Sequence, residues 1–284
     1  MTMKSLAERK NEMAAYTEQI AESVKELRTS EGYARVLKCM ASFHDYSFNN
    51  VMMILMQMPE ATRVAGFNTW KKNNRFVKKG EHGIRIFAPI VRKERIEAAH
   101  GEEKETRKVC GYKLVSVFDL SQTEGESLPE FPALPVLEGT VDGFEDVMAG
   151  LRGVTDYEVQ YGVLEEGTYG LCSHVNKTIT LTEGLSEACQ IRTLVHEVAH
   201  SLLHGKSCGL ETSAKEIEAE SVAYMVCAHF GIDTSDSSFA YLAGWSASMD
   251  DAAFTSRLVD LQKTASKIIG GVEAGLEGAK PNAA

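Results

Sequence analysis

The sequence predicts an α+β protein of two domains. Three observations carry this reading. Apolar residues recur at helical spacing up to Met58 and again after Ser186, while β-branched and aromatic runs with turn signals lie between them. Residues 121–139 show no periodicity and hold three of the six prolines, so they read as a linker. Charge reverses across the chain: residues 63–95 contain ten Lys/Arg against two Glu, whereas residues 119–284 contain nine Lys/Arg against twenty-six Asp/Glu. The expected partition is a first domain over 1–120, the linker, a second domain over 140–270 and a disordered tail over 271–284. A chain of 284 residues is long enough for two cores.

Taken in order, residues 3–28 read as an amphipathic helix, because Leu6, Met13, Ile20, Val24 and Leu27 recur among charges. A second helix is expected over 31–43. Ser47 is placed to cap a third, from Phe48 to Met58, which Pro59 ends. From Phe67 the texture turns to strand: "IRIFAPIV" and "YKLVSVFDL" flank the charged stretch "RKERIEAAHGEEKETRK", which suggests a hairpin with a long polar excursion. After the linker come a helix near 140, the strand pieces "YEVQYGVL" and "KTITLTEG", and helices over 187–204, 214–230 and 251–269. Gly205 and Gly231 stand where C-terminal caps belong.

No apolar run approaches the ~18 residues of a membrane helix. The N-terminal stretch is charged and lacks the apolar core of a secretion signal, so the expected location is cytoplasmic, with no membrane partner. The six cysteines are scattered and form no C-x-x-C, consistent with reduced thiols. The net charge of −10 makes the local basic stretch a specific polyanion-binding candidate rather than part of a generally adhesive surface.

The strongest chemical signal is "TLVHEVAHSLLHG", residues 193–205. His196 and His200 lie four apart, on one helical face, where two imidazoles can grip one ion. Glu197, one position on, can reach a water on that ion without ligating it. A catalytic zinc needs a third protein ligand and an open position. Downstream, "KEIEAESVAY" offers Glu216 and Glu220 on one face, with Glu218 roughly 200° around the helix from Glu216. Glu216 is the expected third ligand and Glu218 its competitor; Glu220, one turn on, is placed to hydrogen-bond the far nitrogen of a zinc histidine. His204 extends the stripe, but the outer histidines are about 12 Å apart along the axis, so His204 is expected to be structural. Strand 177–181 is the candidate edge for an extended substrate. Tyr224 and Tyr241 are candidates for the oxyanion partner.

In the basic stretch, Lys71, Lys72, Arg75, Lys78, Lys79 and Arg85 offer a cationic track for phosphates. Phe67, Trp70 and Phe76 are interleaved and can stack on unpaired bases. A solvated basic face with core aromatics is the alternative that composition leaves open.

Two resemblances bear on these readings. "TLVHEVAHSLLHG" followed by "EIEAESVAY" resembles the metallopeptidase domain of the ImmA/IrrE group, a zincin-like (gluzincin) fold. This implies His196, His200 and Glu216 as Zn2+ ligands and Glu197 as the catalytic residue, with Glu220 standing where that group commonly has Asp or Asn. "YSFNNVMMILMQMPEATRVAGFNTW" and "NRFVKKGEHGIRIFAPI" resemble the N-terminal single-stranded-DNA-binding domain of ArdC-type antirestriction proteins. Together they imply a single-stranded-DNA-binding protein with a zinc endopeptidase domain acting on an unknown protein substrate, in mobile-element transfer or antirestriction. The alternatives are a regulatory protease that cleaves a repressor, and a DNA-binding module with a non-catalytic metal site.

Overall fold

The chain adopts an α+β fold in a computed structural model that describes residues 6–97, 103–128, 134, 136–137, 139–205, 209–232, 239, 242–247 and 249–278. The helices are α1 (Leu6–Glu26), α2 (Ser30–Ser42), α3 (Phe48–Gln57), α4 (Phe67–Lys72), α5 (Phe144–Val154), α6 (Glu187–Leu203), α7 (Thr212–His229), α8 (Leu242–Ala247) and α9 (Asp251–Gly278). The strands are β1 (Val64–Gly66), β2 (Arg75–Val77), β3 (Ile84–Glu97), β4 (Glu103–Asp119), β5 (Thr123–Gly125), β6 (Val136–Leu137), β7 (Thr140–Val141), β8 (Glu158–Gly162), β9 (Gly170–Ser173) and β10 (Thr178–Thr182). Contacts divide the chain into two units, Met1–Lys25 with Asn49–Leu128, and Glu26–Phe48 with Pro129–Ala284.

In the first unit β4 lies between β1 and β3, antiparallel to both. Inward residues Ile84, Ile86 and Val117 are buried, as are Val51, Met52, Ile54 and Leu55 of α3. Polar side chains set the register of helix on strand. Asn50 donates to the Phe87 carbonyl at 2.9 Å and accepts its amide at 2.8 Å; Gln57 does the same for Arg85, at 2.9 Å each way. The β3–β4 ladder continues out to Glu97–Glu103, past a register shift at Ile90/Val91. The charged stretch expected as an excursion is therefore paired strand over 92–97 and 103–108. The expected linker also begins inside this unit: Asp119 caps a short 3-10 turn over Leu120–Gln122, and β5 then pairs with β2.

In the second unit β10 is the central strand, parallel to β8 and antiparallel to β9. Helix α6 packs on this sheet and on α7. Residues 26–48, expected in the first domain, group here because α2 packs on α7 and buries Tyr33, Val36, Leu37 and Met40. The Tyr33 hydroxyl shares a buried hydrogen bond with Ser221 at 2.8 Å. Helices α5 and α9 meet almost backbone to backbone. A Cβ at Gly150 would lie 2.6 Å from the Gly271 carbonyl oxygen, and one at Gly275 would lie 2.5 Å from that of Asp146. The tail expected to be disordered from 271 is thus helix through Gly278, with Val272 buried. Gly271 and Gly275, inside the expected tail, are residues that let α9 approach α5; positions 279–284 lie outside the described residues. No described helix is long and apolar enough to cross a membrane.

Candidate functional site

Helix α6 starts at Ser186, whose hydroxyl caps the Cys189 amide, and carries a stripe of four side chains at four-residue spacing: Arg192, His196, His200 and His204. Helix α7 lies against it and presents Glu216 and Glu220. His196 Nε2 and His200 Nε2 are 3.1 Å apart. The Glu216 carboxylate closes the set, with Oε2 at 3.3 Å from His196 Nε2 and Oε1 at 3.5 Å from His200 Nε2. Donor bonds of ~2.05 Å to zinc put tetrahedral ligand atoms about 3.3 Å apart. The spacing therefore fits a first-row divalent cation, and these three residues form a set that can hold one.

The neighbours of this set are themselves held. Glu220 Oε2 lies 3.5 Å from His196 Nδ1, and Arg192 Nη2 donates to Glu220 Oε1 at 3.3 Å. His200 Nδ1 faces His204 Nδ1 at 2.9 Å, and His204 Nε2 faces Glu218 Oε2 at 3.1 Å. The other Glu218 oxygen accepts from Arg257 Nε at 3.1 Å and Trp245 Nε1 at 3.3 Å. Because a carboxylate only accepts, His204 carries its proton on Nε2 and accepts at Nδ1. His200 must then donate from Nδ1, which leaves its Nε2 lone pair facing Glu216 and His196. Glu218, the rival for the third-ligand position, is buried against His204 and turned away from the set.

Electrostatics follow from burial and these pairings. Burial pulls the His196 imidazole down, but the Glu216 and Glu220 carboxylates outweigh it and raise it to about 9. Burial keeps His200 below its ordinary value despite Glu216. The facing His196 ring, and then His200, hold the Glu216 carboxyl far below the usual carboxylate range. Burial pushes Glu197 up to about 7, opposed by His196 and aided by Glu216.

His196, Glu197, Glu216 and Glu220 line an open cleft of about 890 Å³, together with Thr168, Tyr169 and Gly170. The expectation that strand 177–181 is the free edge is corrected here. That segment is β10, paired on both sides, and the edge beside α6 is β9. Gly170 makes this approach possible, because a Cβ there would lie 2.7 Å from Glu197 Oε1 and 2.6 Å from Thr193 Cγ2. The Cys172 backbone amide donates to the Glu197 carboxyl. Tyr224 packs edge-on against Phe239 instead of lining the cleft, and Tyr241 lies outside the described residues. Sequence reasoning missed Arg192, Gly170 and the His204–Glu218 pair. The four-residue repeat that starts at Arg192 was the available signal for the first.

The basic stretch divides into engaged and exposed groups. Trp70 is 1% exposed and its Nε1 donates to the Phe118 carbonyl at 2.8 Å, so it is core and not a stacking platform. The Arg75 guanidinium donates to Thr123 Oγ1 at 2.9 Å and to the carbonyls of Thr123, Gly125 and Glu126, holding β5. Arg85 donates to Ser116 Oγ at 3.2 Å and faces Glu12 at 3.7 Å. Lys78 Nζ donates to the Ser121 carbonyl at 2.8 Å while remaining on the surface. Lys71, Lys72 and Lys79 are exposed. Phe67 and Phe76 are more than half exposed, at 55% and 51%. Phe67 and Lys71 are four apart on α4, and Phe76 points outward from β2.

An α+β protein with a two-histidine, one-carboxylate donor set in a cleft is the class these features define. Residues 6–118 match the model of the N-terminal domain of anti-restriction factor ArdC. Uncharacterized protein pXO2-81 of Bacillus anthracis is 28% identical over 90% of this chain and 52% of its own length. The chain therefore spans about half the length of this curated relative. The metal-free crystal structure of antirestriction ArdC protein from R388 plasmid superposes with a TM-score of 0.49 at 22% identity, over 80% of this chain and 85% of that one. Its Mn(II)-bound form gives 0.42 at 18% identity, over 79% and 87%.

Proposed function

We propose that the chain is a single-stranded-DNA-binding protein with a zinc-dependent endopeptidase domain, acting in mobile-element transfer or antirestriction. The observation that carries the enzymatic half is the convergence of His196 Nε2, His200 Nε2 and the Glu216 carboxylate beside the buried Glu197. Two imidazoles with one carboxylate suit zinc better than magnesium or calcium, which prefer all-oxygen sites. A zinc ion held there supplies a Lewis acid for a peptide carbonyl and acidifies water.

The chain's own groups account for the remaining work. Glu197 follows His196 and lines the cleft beside the ligand set. That suits it to take a proton at its carboxylate oxygen and return it to the leaving amine. β9 is an edge strand whose Gly170 end lines the cleft, where an extended peptide can add as a strand. Arg192 and Glu220 hold the His196 ring, and Glu218 through His204 holds the His200 ring. In the N-terminal unit, Lys71, Lys72 and Lys79 supply exposed charge for phosphates, and Phe67 and Phe76 supply ring faces for bases.

The peptidase reading is tested by incubating zinc-loaded protein with a peptide library and reading products by mass spectrometry. Glu197→Gln is expected to retain its zinc and to lose about 10²–10⁴-fold in cleavage rate. Equal cleavage by wild type and variant, or none by a zinc-loaded wild type, contradicts it.

A further inference from the structure

A second cluster of metal-type donors stands at the other end of α7. His229 is the last residue of that helix, so it lies about 20 Å along the axis from Glu216 at ~1.5 Å per residue. His44 follows the end of α2, and Glu273 lies on α9. One donor atom from each of His44, His229 and Glu273 falls within 4.8 Å of the other two.

Fixed acceptors set the proton positions. The Ala41 carbonyl only accepts and lies 3.1 Å from His229 Nδ1, so that nitrogen carries a proton. His229 Nε2 then faces Glu273 Oε1 at 3.2 Å. A lone pair opposite a carboxylate oxygen is repulsive, so a positive species belongs there: a second ring proton or a metal ion. His44 distinguishes the two. Its Nε2 faces Asp45 Oδ1 at 3.5 Å, while its Nδ1 is buried with no hydrogen-bond partner among the described residues. Burial, then the facing His229 ring, pull His44 below its ordinary value, against smaller pushes from Asp45, Glu273 and the Ala41 carbonyl. A proton shared by His229 and Glu273 leaves the buried His44 Nδ1 without a partner, whereas a cation bound by all three residues gives it one.

The place is also built. From α9, Ser266 Oγ donates to the His44 carbonyl at 2.5 Å and Gln262 Nε2 donates to the Tyr46 carbonyl at 2.7 Å. The His44 and His229 rings meet edge to face, with centroids 4.5 Å apart. Glu273 is partly exposed, so an ion can enter from solvent. We propose that His44, His229 and Glu273 bind a divalent first-row transition-metal ion at a second site, tying the end of α2 to α7 and α9. Two imidazoles and a carboxylate select this class over magnesium or calcium.

The test removes the first donor set with His196→Ala/His200→Ala in the full chain, strips metal, and titrates with zinc alone. One ion per chain is expected to remain, with a rise in thermal midpoint on binding. Adding Glu273→Gln, or separately His229→Ala, should weaken that binding at least tenfold, with circular dichroism reporting an intact fold. Glu273 is the more exposed of these two ligands and the less disruptive to change. A folded His196→Ala/His200→Ala chain that takes up no zinc makes the His229–Glu273 contact a proton-bridged pair and overturns the proposal. Zinc binding unaffected by either further change overturns it too. Neither result depends on whether the first donor set binds metal.

Discussion

The two units treat their polar side chains differently. In the cleft of the second unit, charged and titratable groups point at one another: two imidazoles and a carboxylate converge within 3.5 Å, and Arg192, Glu220, His204 and Glu218 hold them from behind. In the first unit the basic residues divide between engaged and exposed groups. Arg75 and Arg85 are turned to partners within their own unit, while Lys71, Lys72 and Lys79 are exposed. A convergent cluster has a defined ligand geometry and so specifies a chemistry. A dispersed cationic face specifies only the sign of its partner's charge. The metal reading therefore rests on distances, and the DNA reading on exposure.

That contrast can be broken most forcefully at Trp70. If it is core, Trp70→Ala should cost about 3–5 kcal/mol of stability in the first unit, read by urea denaturation. A loss below ~1 kcal/mol accompanied by weaker DNA binding would return Trp70 to the interface. The next effect is expected behind the convergent cluster. His204→Ala removes the acceptor of His200 Nδ1 and should lower zinc affinity about 10–100-fold without touching a ligand. Unchanged affinity would mean that His200 orientation is set by packing alone. The smallest effect belongs to the dispersed face. Phe76→Ala should leave stability nearly unaltered, since the ring is 51% exposed, and weaken single-stranded DNA binding by about 1–3 kcal/mol. If binding is unaltered across salt concentrations, the exposed aromatics are not stacking platforms.

What was legible in the sequence follows the same division. The spacing of His196, Glu197 and His200 fixes their relation on any helix, and Glu216 and Glu220 follow one turn apart on the next. The fold class and most long helices were legible because apolar periodicity is local. The β9 edge was not: "GLCS" is four residues with no alternation, and only its pairing with β10 makes it a strand. Nor could local sequence show that the Arg75 guanidinium holds β5, some fifty residues on, or that Trp70 reaches the Phe118 carbonyl. The glycines of α9 read as a frayed tail because the helix that needs their bare backbone, α5, lies more than a hundred residues earlier. His44, His229 and Glu273 carried no signal, being joined only by tertiary packing.

The most direct test of the central claim is the zinc affinity of the His196, His200 and Glu216 set, measured by competition with a chromophoric chelator. His229→Ala is used as the background to silence the second cluster. The account predicts one ion per chain, with His200→Ala and Glu216→Ala each weakening binding at least about 100-fold, since each removes a ligand and leaves its partners unpaired. A folded protein that binds no zinc, or binds it equally well without His200 or Glu216, would contradict it.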